Sequence, residues 1–319
     1  MNLLSCAHAF GVIAAMALAS LQSPSFAQDL CAIPSEANDP QALHINGSTP
    51  FVYKTVGDTE LRLHVFSSGG LKPGGKRPAV VFFYGGGWIF GDVRRFQTQA
   101  THLALRGLVT VLVDYRVKCR NGTTLIDATT DAKSAMRWVR GHAHELGIDT
   151  SRIAAVGSSA GGQMAAATAL VTEFDDPTDP QVDPKPNALI LYNPGLLMAS
   201  PQAIAALTNS QGKAVADRAR DFSPFDNLDK GLPPTIIFQG TADKLIPAGL
   251  AEEFCKRART FKAKVKCEVV NYEGAGHGFT EVWLGLEDPS LGMKTEEWAE
   301  DTSRRTDKFL ESLGWLSRR

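Results

Sequence analysis

Ser159, His277 and Asp243 are the residues of this chain whose types and settings could together break an acyl bond. Ser159 is the centre of Gly157-Ser158-Ser159-Ala160-Gly161, a G-x-S-x-G pattern. In that pattern the serine occupies a strained turn, and the flanking glycines keep side chains clear of the neighbouring strand and helix. A serine hydroxyl is unreactive at its own pKa. An imidazole must take its proton, and a carboxylate must fix the imidazole's tautomer and stabilise its cation. His277 supplies the imidazole from the glycine-flanked loop Gly276-His277-Gly278, and Asp243 supplies the carboxylate just past Gly240. Attack on a carbonyl leaves a negative oxygen that needs N–H donors. Ala160, following the serine, and Gly86 and Gly87, in Tyr84-Gly85-Gly86-Gly87-Trp88, are placed to provide an oxyanion hole, with a helix dipole acting in the same direction. Trp88 is the candidate for substrate contact.

Each of these groups needs an element to hold it. The apolar run at 153–156 predicts a strand ending at the serine, and the segment from Ala160 predicts a helix. The run at 79–83 predicts a central strand buried on both faces, which ends in the glycines. Further strands are expected at 108–113, 188–193, 234–239 and 265–272. Helices are expected at 93–106, 125–146, 248–261 and 294–313, with Ala128, Ala132, Ala135, Met136, Val139 and Ala143 at helical spacing in the second. This alternation implies an α/β domain, with a mostly parallel central sheet, right-handed crossovers and helices on both faces. Residues 51–66 alternate as an antiparallel edge hairpin would, which points His64 to solvent. Asp243 and His277 both follow strands, and in an open α/β sheet that edge is where ligands bind. The insertion at 194–224 is placed to cap it. The acidic, proline-rich loop at 175–186 reads as solvated and lacks a calcium-loop pattern.

The other candidates fall away by position. His8 lies in the N-terminal apolar segment, His44 and His64 precede the sheet core, and His102, His142 and His144 fall on predicted helices. Asp226 and Asp229 precede the strand at 234–239 instead of following it, and so belong to its other end. With 33 basic and 34 acidic residues the net charge is -1, which leaves no electrostatic footprint for nucleic acid or an anionic membrane surface. A neutral or small-molecule substrate is the expectation. No C-x-x-C or His/Cys cluster points to a metal.

Taken together, these motifs resemble the α/β-hydrolase superfamily and, within it, the hormone-sensitive-lipase-like and acetyl-esterase group of carboxylesterases, over about residues 51–315. Tyr84 to Trp88 corresponds to the group's His-Gly-Gly-Gly-Trp motif, Gly157 to Gly161 to its nucleophile motif, Gly240-Thr241-Ala242-Asp243 to its acid motif, and Gly276-His277-Gly278-Phe279 to its histidine motif. Asp114-Tyr115-Arg116 matches a further hallmark. Tyr84 stands where histidine is usual and Ser158 where aspartate is common, and neither change removes an oxyanion N–H. The resemblance implies an α/β-hydrolase fold with a small cap. It also implies a serine carboxylic-ester hydrolase that acts on short acyl, acetyl above all, esters through an acyl-enzyme, with no cofactor. Acetylated carbohydrates are the substrate class suggested by that resemblance together with export. Two alternatives remain: an aryl-amide hydrolase or peptidase with the same triad, and a catalytically silent binding protein on a hydrolase scaffold.

Residues 1–27 differ in composition from the rest. An apolar run at 10–21 precedes Ser25-Phe26-Ala27, a small-x-small site, and the segment reads as a signal peptide for a secreted or periplasmic protein, with a first core helix or a membrane anchor as the alternatives because no Lys or Arg precedes the run. Residues 28–50 read as an N-terminal arm, and 51–319 as the hydrolase domain. Cleavage after Ala27 would leave Cys31, Cys119, Cys255 and Cys267 in an oxidising compartment. Of the possible pairings, Cys255 with Cys267 is favoured, because a helix followed at once by a strand packed antiparallel to it brings such positions together.

Overall fold

Runs of β-branched and aromatic residues at the predicted positions form one eight-stranded sheet of order β1-β2-β4-β3-β5-β6-β7-β8. The computed structural model describes residue 31, residues 44–280 and residues 292–318. The strands are β1 Ser48–Val56, β2 Thr59–Ser67, β3 Arg77–Phe83, β4 Val109–Val113, β5 Ile148–Ser158, β6 Ala188–Tyr192, β7 Thr235–Gly240 and β8 Cys267–Tyr272. β1 and β2 pair antiparallel, as do β2 and β4, and the remaining neighbours pair parallel. β4, β6 and β7 are buried at every position, because helices cover both faces of a parallel sheet. β1 begins at Ser48, so the sheet extends into the segment read as an arm.

The helices are α1 Gln97–Leu105, α2 Lys118–Asn121, α3 Leu125–Gly141, α4 Ala143–Leu146, α5 Ala160–Leu170, α6 Pro201–Gln211, α7 Lys213–Ala216, α8 Gly249–Phe261, β8's neighbour in sequence, and α9 Gly292–Ser312. The helix expected at 125–146 is two, divided at His142. α3 starts with a capping box in which Thr124 and Asp127 satisfy each other's end of the first turn. α5 is buried along its whole length, packed against β3, β5 and β6 on one side and α3 on the other. Its run of small residues permits that close double approach.

Two further expectations change, and one about the cysteines holds. His64 does not face solvent: it is 1% exposed, because β2 has a strand on each side and is covered on both faces from Leu63 onward. Burial, with Arg62 and His44 nearby, lowers its pKa to about 4. The loop at 175–186 is not simply solvated, since Asp175 pairs with Lys133 and Arg137, and Asp176 with Lys54 at 2.7 Å. Cys255 does pair with Cys267, joining α8 to β8, and a second disulfide joins Cys31 to Cys119. The segment read as a signal peptide lies outside the described residues.

Candidate active site

β5 runs straight into α5 with Ser159 as the single residue between them. Ser159 takes φ 50° and ψ -115°, a conformation uncommon for any residue with a side chain. The surroundings enforce it. Its N–H donates to the carbonyl of Tyr192 at 2.9 Å, and its own carbonyl accepts from Gln163 and Gly195. A Cβ at Gly157 would lie 2.1 Å from the Gly161 carbonyl oxygen, and one at Gly161 would lie 2.1 Å from that of Phe83. The glycines of the pattern are therefore a packing requirement of strand against helix against strand.

His277 and Asp243 arrive at the same point from the ends of β8 and β7. The Ser159 Oγ is 2.8 Å from His277 Nε2, and His277 Nδ1 is 2.8 Å from Asp243 Oδ2. A carboxylate can only accept, so Nδ1 carries the proton and Nε2 is left to accept from the serine. The Asp243 side chain is fully sealed from solvent, whereas that of His277 is 21% exposed. Burial alone would raise the Asp243 carboxyl. The bond with His277, and the N–H groups of Ile246 and Leu245 on Oδ1, outweigh it and hold the carboxyl below the usual carboxylate range.

The glycine loop after β3 lies across from the elbow. Gly86, Gly87 and Trp88 have φ of 137°, 63° and 60°, three consecutive positive values. A Cβ on Gly86 would meet the Phe90 carbonyl oxygen at 2.0 Å. Ala160, the first residue of α5, has an N–H with no acceptor inside its own helix. Tyr84 lies beneath this loop. Its ring stacks on Tyr115 with centroids 4.1 Å apart, its hydroxyl lies 3.3 Å from Asp114 Oδ1, and the Tyr115 hydroxyl donates to the Tyr84 carbonyl at 2.6 Å. Trp88 is anchored by Nε1 to Gln163 Oε1 at 3.3 Å, and Gln163 in turn donates to the carbonyl of Phe222 at 2.9 Å. The insertion containing α6 and α7 packs its own apolar cluster, including Met198, Leu207 and Phe222, against Leu125 and Trp88.

Ser159, His277 and Asp243 thus meet from separate strand ends. Motif reading missed Asn193, whose side chain reaches Asp243, and Gln163, which fixes Trp88. Gln163 could have been found from its place one helical turn after Ser159. Ser158, Ser159, Tyr192, Asn193, His277, Gly278 and Thr280 line an opening of about 180 Å³, with no carboxylate or cationic chain among them. Among the described residues no group of three or more His, Cys, Asp or Glu side chains is placed to hold a metal ion. No helix there is long and apolar enough to cross a membrane.

Comparison with known proteins places this arrangement in context. The BD-FAE family model matches residues 71–257. Esterase 2 of Thermogutta terrifontis, in its apo form, superposes with a TM-score of 0.76 at 36% identity, covering 87% of this chain and 98% of that one. The same esterase with propionate bound gives a TM-score of 0.76 at 35% identity, covering 88% and 100%. Esterase LipC of Mycobacterium tuberculosis is 28% identical over 219 residues, which is 63% of this chain and 53% of the relative. The chain spans about half the length of the curated relatives it matches.

Proposed function

The chain belongs to the BD-FAE family of α/β-hydrolases, and on that premise we propose that it is a serine esterase cleaving short acyl esters, acetyl above all, through an acyl-enzyme on Ser159. The observation that carries this reading is the unbroken relay from Ser159 Oγ to His277 to Asp243, with 2.8 Å at each step. His277 Nε2 takes the hydroxyl proton as Oγ attacks the ester carbonyl carbon, and Asp243 stabilises the imidazolium. The oxygen that gains charge is met by the N–H groups of Ala160, Gly86 and Gly87, one such donor being worth about 2.7–4 kcal/mol in comparable chemistry. As the intermediate collapses, His277 returns the proton to the departing alcohol. It then activates a water that releases the acid and frees Ser159.

Trp88, held by Gln163 and backed by the α6–α7 insertion, is the residue we assign to contact the acyl group and restrict its length. Propionate bound to the related Thermogutta esterase supports a short acyl group. Two disulfides are the chemistry of an oxidising compartment, which supports export and with it acetylated carbohydrates as the substrate class. The test is p-nitrophenyl acetate hydrolysis by Ser159→Ala, purified and folded, followed by an acyl-length series and acetylated oligosaccharides on the wild type. We expect Ser159→Ala to lose at least ~10³-fold in kcat, and acetyl or propionyl esters to exceed longer ones. Wild-type turnover by Ser159→Ala would sink the proposal. Faster cleavage of a matched anilide would move the reaction from esters to amides.

A further inference from the structure

We propose that Asn193 is a positioning residue that holds the Asp243 carboxylate and the His277 loop in register for proton transfer, an inference that rests on the Ser159 mechanism above. Asn193 follows β6 at once. Its N–H continues the ladder to the Phe238 carbonyl of β7 at 2.9 Å, and its side chain turns inward, 2% exposed. Nδ2 donates to Asp243 Oδ2 at 2.5 Å, the oxygen that also accepts from His277 Nδ1, and lies 3.3 Å from the carbonyl of Gly276, the residue before His277. A carboxylate and a carbonyl both accept, so the amide atom facing them must be the nitrogen. Oδ1 has no hydrogen-bond partner among the described residues, so the side chain's polar bonds all go to the acid and the histidine loop.

The carboxylate is thereby gripped at both oxygens. Leu245 and Ile246 hold Oδ1, while Asn193 and His277, with the Gln239 amide farther off at 3.4 Å, share Oδ2. Because the Asp243 side chain is sealed from solvent, bulk water cannot replace a donor that is lost. Without Asn193 the carboxylate can swing about its Oδ1 anchor, and its charge falls more heavily on the imidazole. Both changes reach Ser159 only through His277. Tyr192 also lines this space, but burial pushes its hydroxyl up to about 12, so it stays neutral over the assayed range.

The backbone at position 193 has φ 41°, a conformation that glycine and aspartate accept as asparagine does. The experiment therefore uses Asn193→Gly and Asn193→Asp, each in the wild-type and the Asp243→Asn backgrounds, with circular dichroism to verify folding. Readouts are kcat and KM for p-nitrophenyl acetate and the pH profile of kcat/KM from 5 to 9. Asn193→Gly should lower kcat by about 10–100-fold with KM nearly unchanged. Asn193→Asp should lower it further, because a second carboxyl against Asp243 shares one proton with it and leaves less than a full charge for His277. In Asn193→Gly, by contrast, the lost Nδ2 donor leaves more charge on the imidazole and should move the acid limb upward by about half a pH unit. In the Asp243→Asn background, where no carboxylate is left to hold, Asn193→Gly should cost less than ~3-fold. An equal loss in both backgrounds, with no movement of the acid limb, would mark a merely structural role and overturn the inference. Unimpaired Asn193→Gly beside an inactive Ser159→Ala overturns this inference alone, whereas an active Ser159→Ala overturns the parent mechanism and this inference with it.

Discussion

Replacing Gly161 with alanine sets two effects against each other at the contact between elbow helix and oxyanion loop. Helix propensity favours alanine by at most about 1 kcal/mol, and Gly161 lies in the first turn of α5. Opposing it, the new Cβ would stand 2.1 Å from the Phe83 carbonyl oxygen and 2.4 Å from that of Tyr84, both backbone atoms at the end of β3. To restore ordinary contact α5 must retreat from β3 by about 1 Å. Overpacking of that kind costs about 1–3 kcal/mol, so the clash wins and a net loss of about 1–2 kcal/mol is expected. The effect on rate is larger. Ser159 caps α5 and Ala160 is its first residue, while β3 leads into Gly86 and Gly87, so the retreat separates the proposed nucleophile from its proposed oxyanion donors. A misplacement of about 1 Å is worth about 10²-fold in rate. Urea unfolding and p-nitrophenyl acetate kinetics measure both quantities. Gly249→Ala is the control, because nothing lies within 4 Å of its Cβ. It should leave the rate unchanged and gain about 0.4–1 kcal/mol. Wild-type kcat/KM in Gly161→Ala would refute the claim that this contact sets the geometry of the site.

Two other perturbations probe the frame. His64 is buried with its pKa lowered to about 4, so as pH falls from 6.5 the unfolded chain binds a proton that the folded chain refuses until about 4. Stability should therefore drop by about 2 kcal/mol between pH 7 and pH 5 on account of this residue, and His64→Leu should remove that part of the slope in urea titrations. An unchanged slope would show that His64 is not the source. The Cys31–Cys119 disulfide spans 88 residues, which in the chain-entropy model makes its removal as Cys31→Ser/Cys119→Ser cost about 4.6 kcal/mol. The N–H of Cys119 also donates to the Ile89 carbonyl at 2.9 Å, so kcat/KM should fall with stability. A stability change under ~1 kcal/mol would contradict the entropic account.

The fold was legible where one cause produced one pattern. Parallel strands covered on both faces appear as unbroken apolar runs, so β3 through β7 could be located from composition alone. The same logic failed at β2, where alternation of Leu61, Leu63 and Val65 with Arg62 and His64 suggests one wet face. A helix closes over the far side, and His64 goes under with it. The turns that hold Ser159, Asp243 and His277 were legible because close approach of backbones marks them with glycine. Asn193 carries no comparable mark. It is 50 residues from Asp243, and only the adjacency of β6 and β7 brings the two together. The disulfides divide in the same way. Cys255 and Cys267 are 12 residues apart across one helix–strand connection, whereas Cys31 and Cys119 are 88 residues apart with no single connection to join them.

Tyr84 separates what the oxyanion loop requires from what it tolerates. The donors expected there are backbone N–H groups of Gly86 and Gly87, whose direction depends on positive φ at those positions and not on the side chain at 84. What position 84 must supply is support. Its ring is 1% exposed and lies flat on Tyr115, and a Cβ on Gly91 would stand 2.3 Å from it, so the returning limb of the loop rests directly on the ring. Its carbonyl is pinned by the Tyr115 hydroxyl, and Arg120 bonds both Asp114 and the Tyr115 carbonyl at 2.8 and 2.7 Å. Position 84 is thus fastened through its ring and its carbonyl to Asp114-Tyr115, the segment that follows β4. A tyrosine where histidine is usual in the resembling group changes the plate under the loop and leaves the hydrogen-bond donors above it in place.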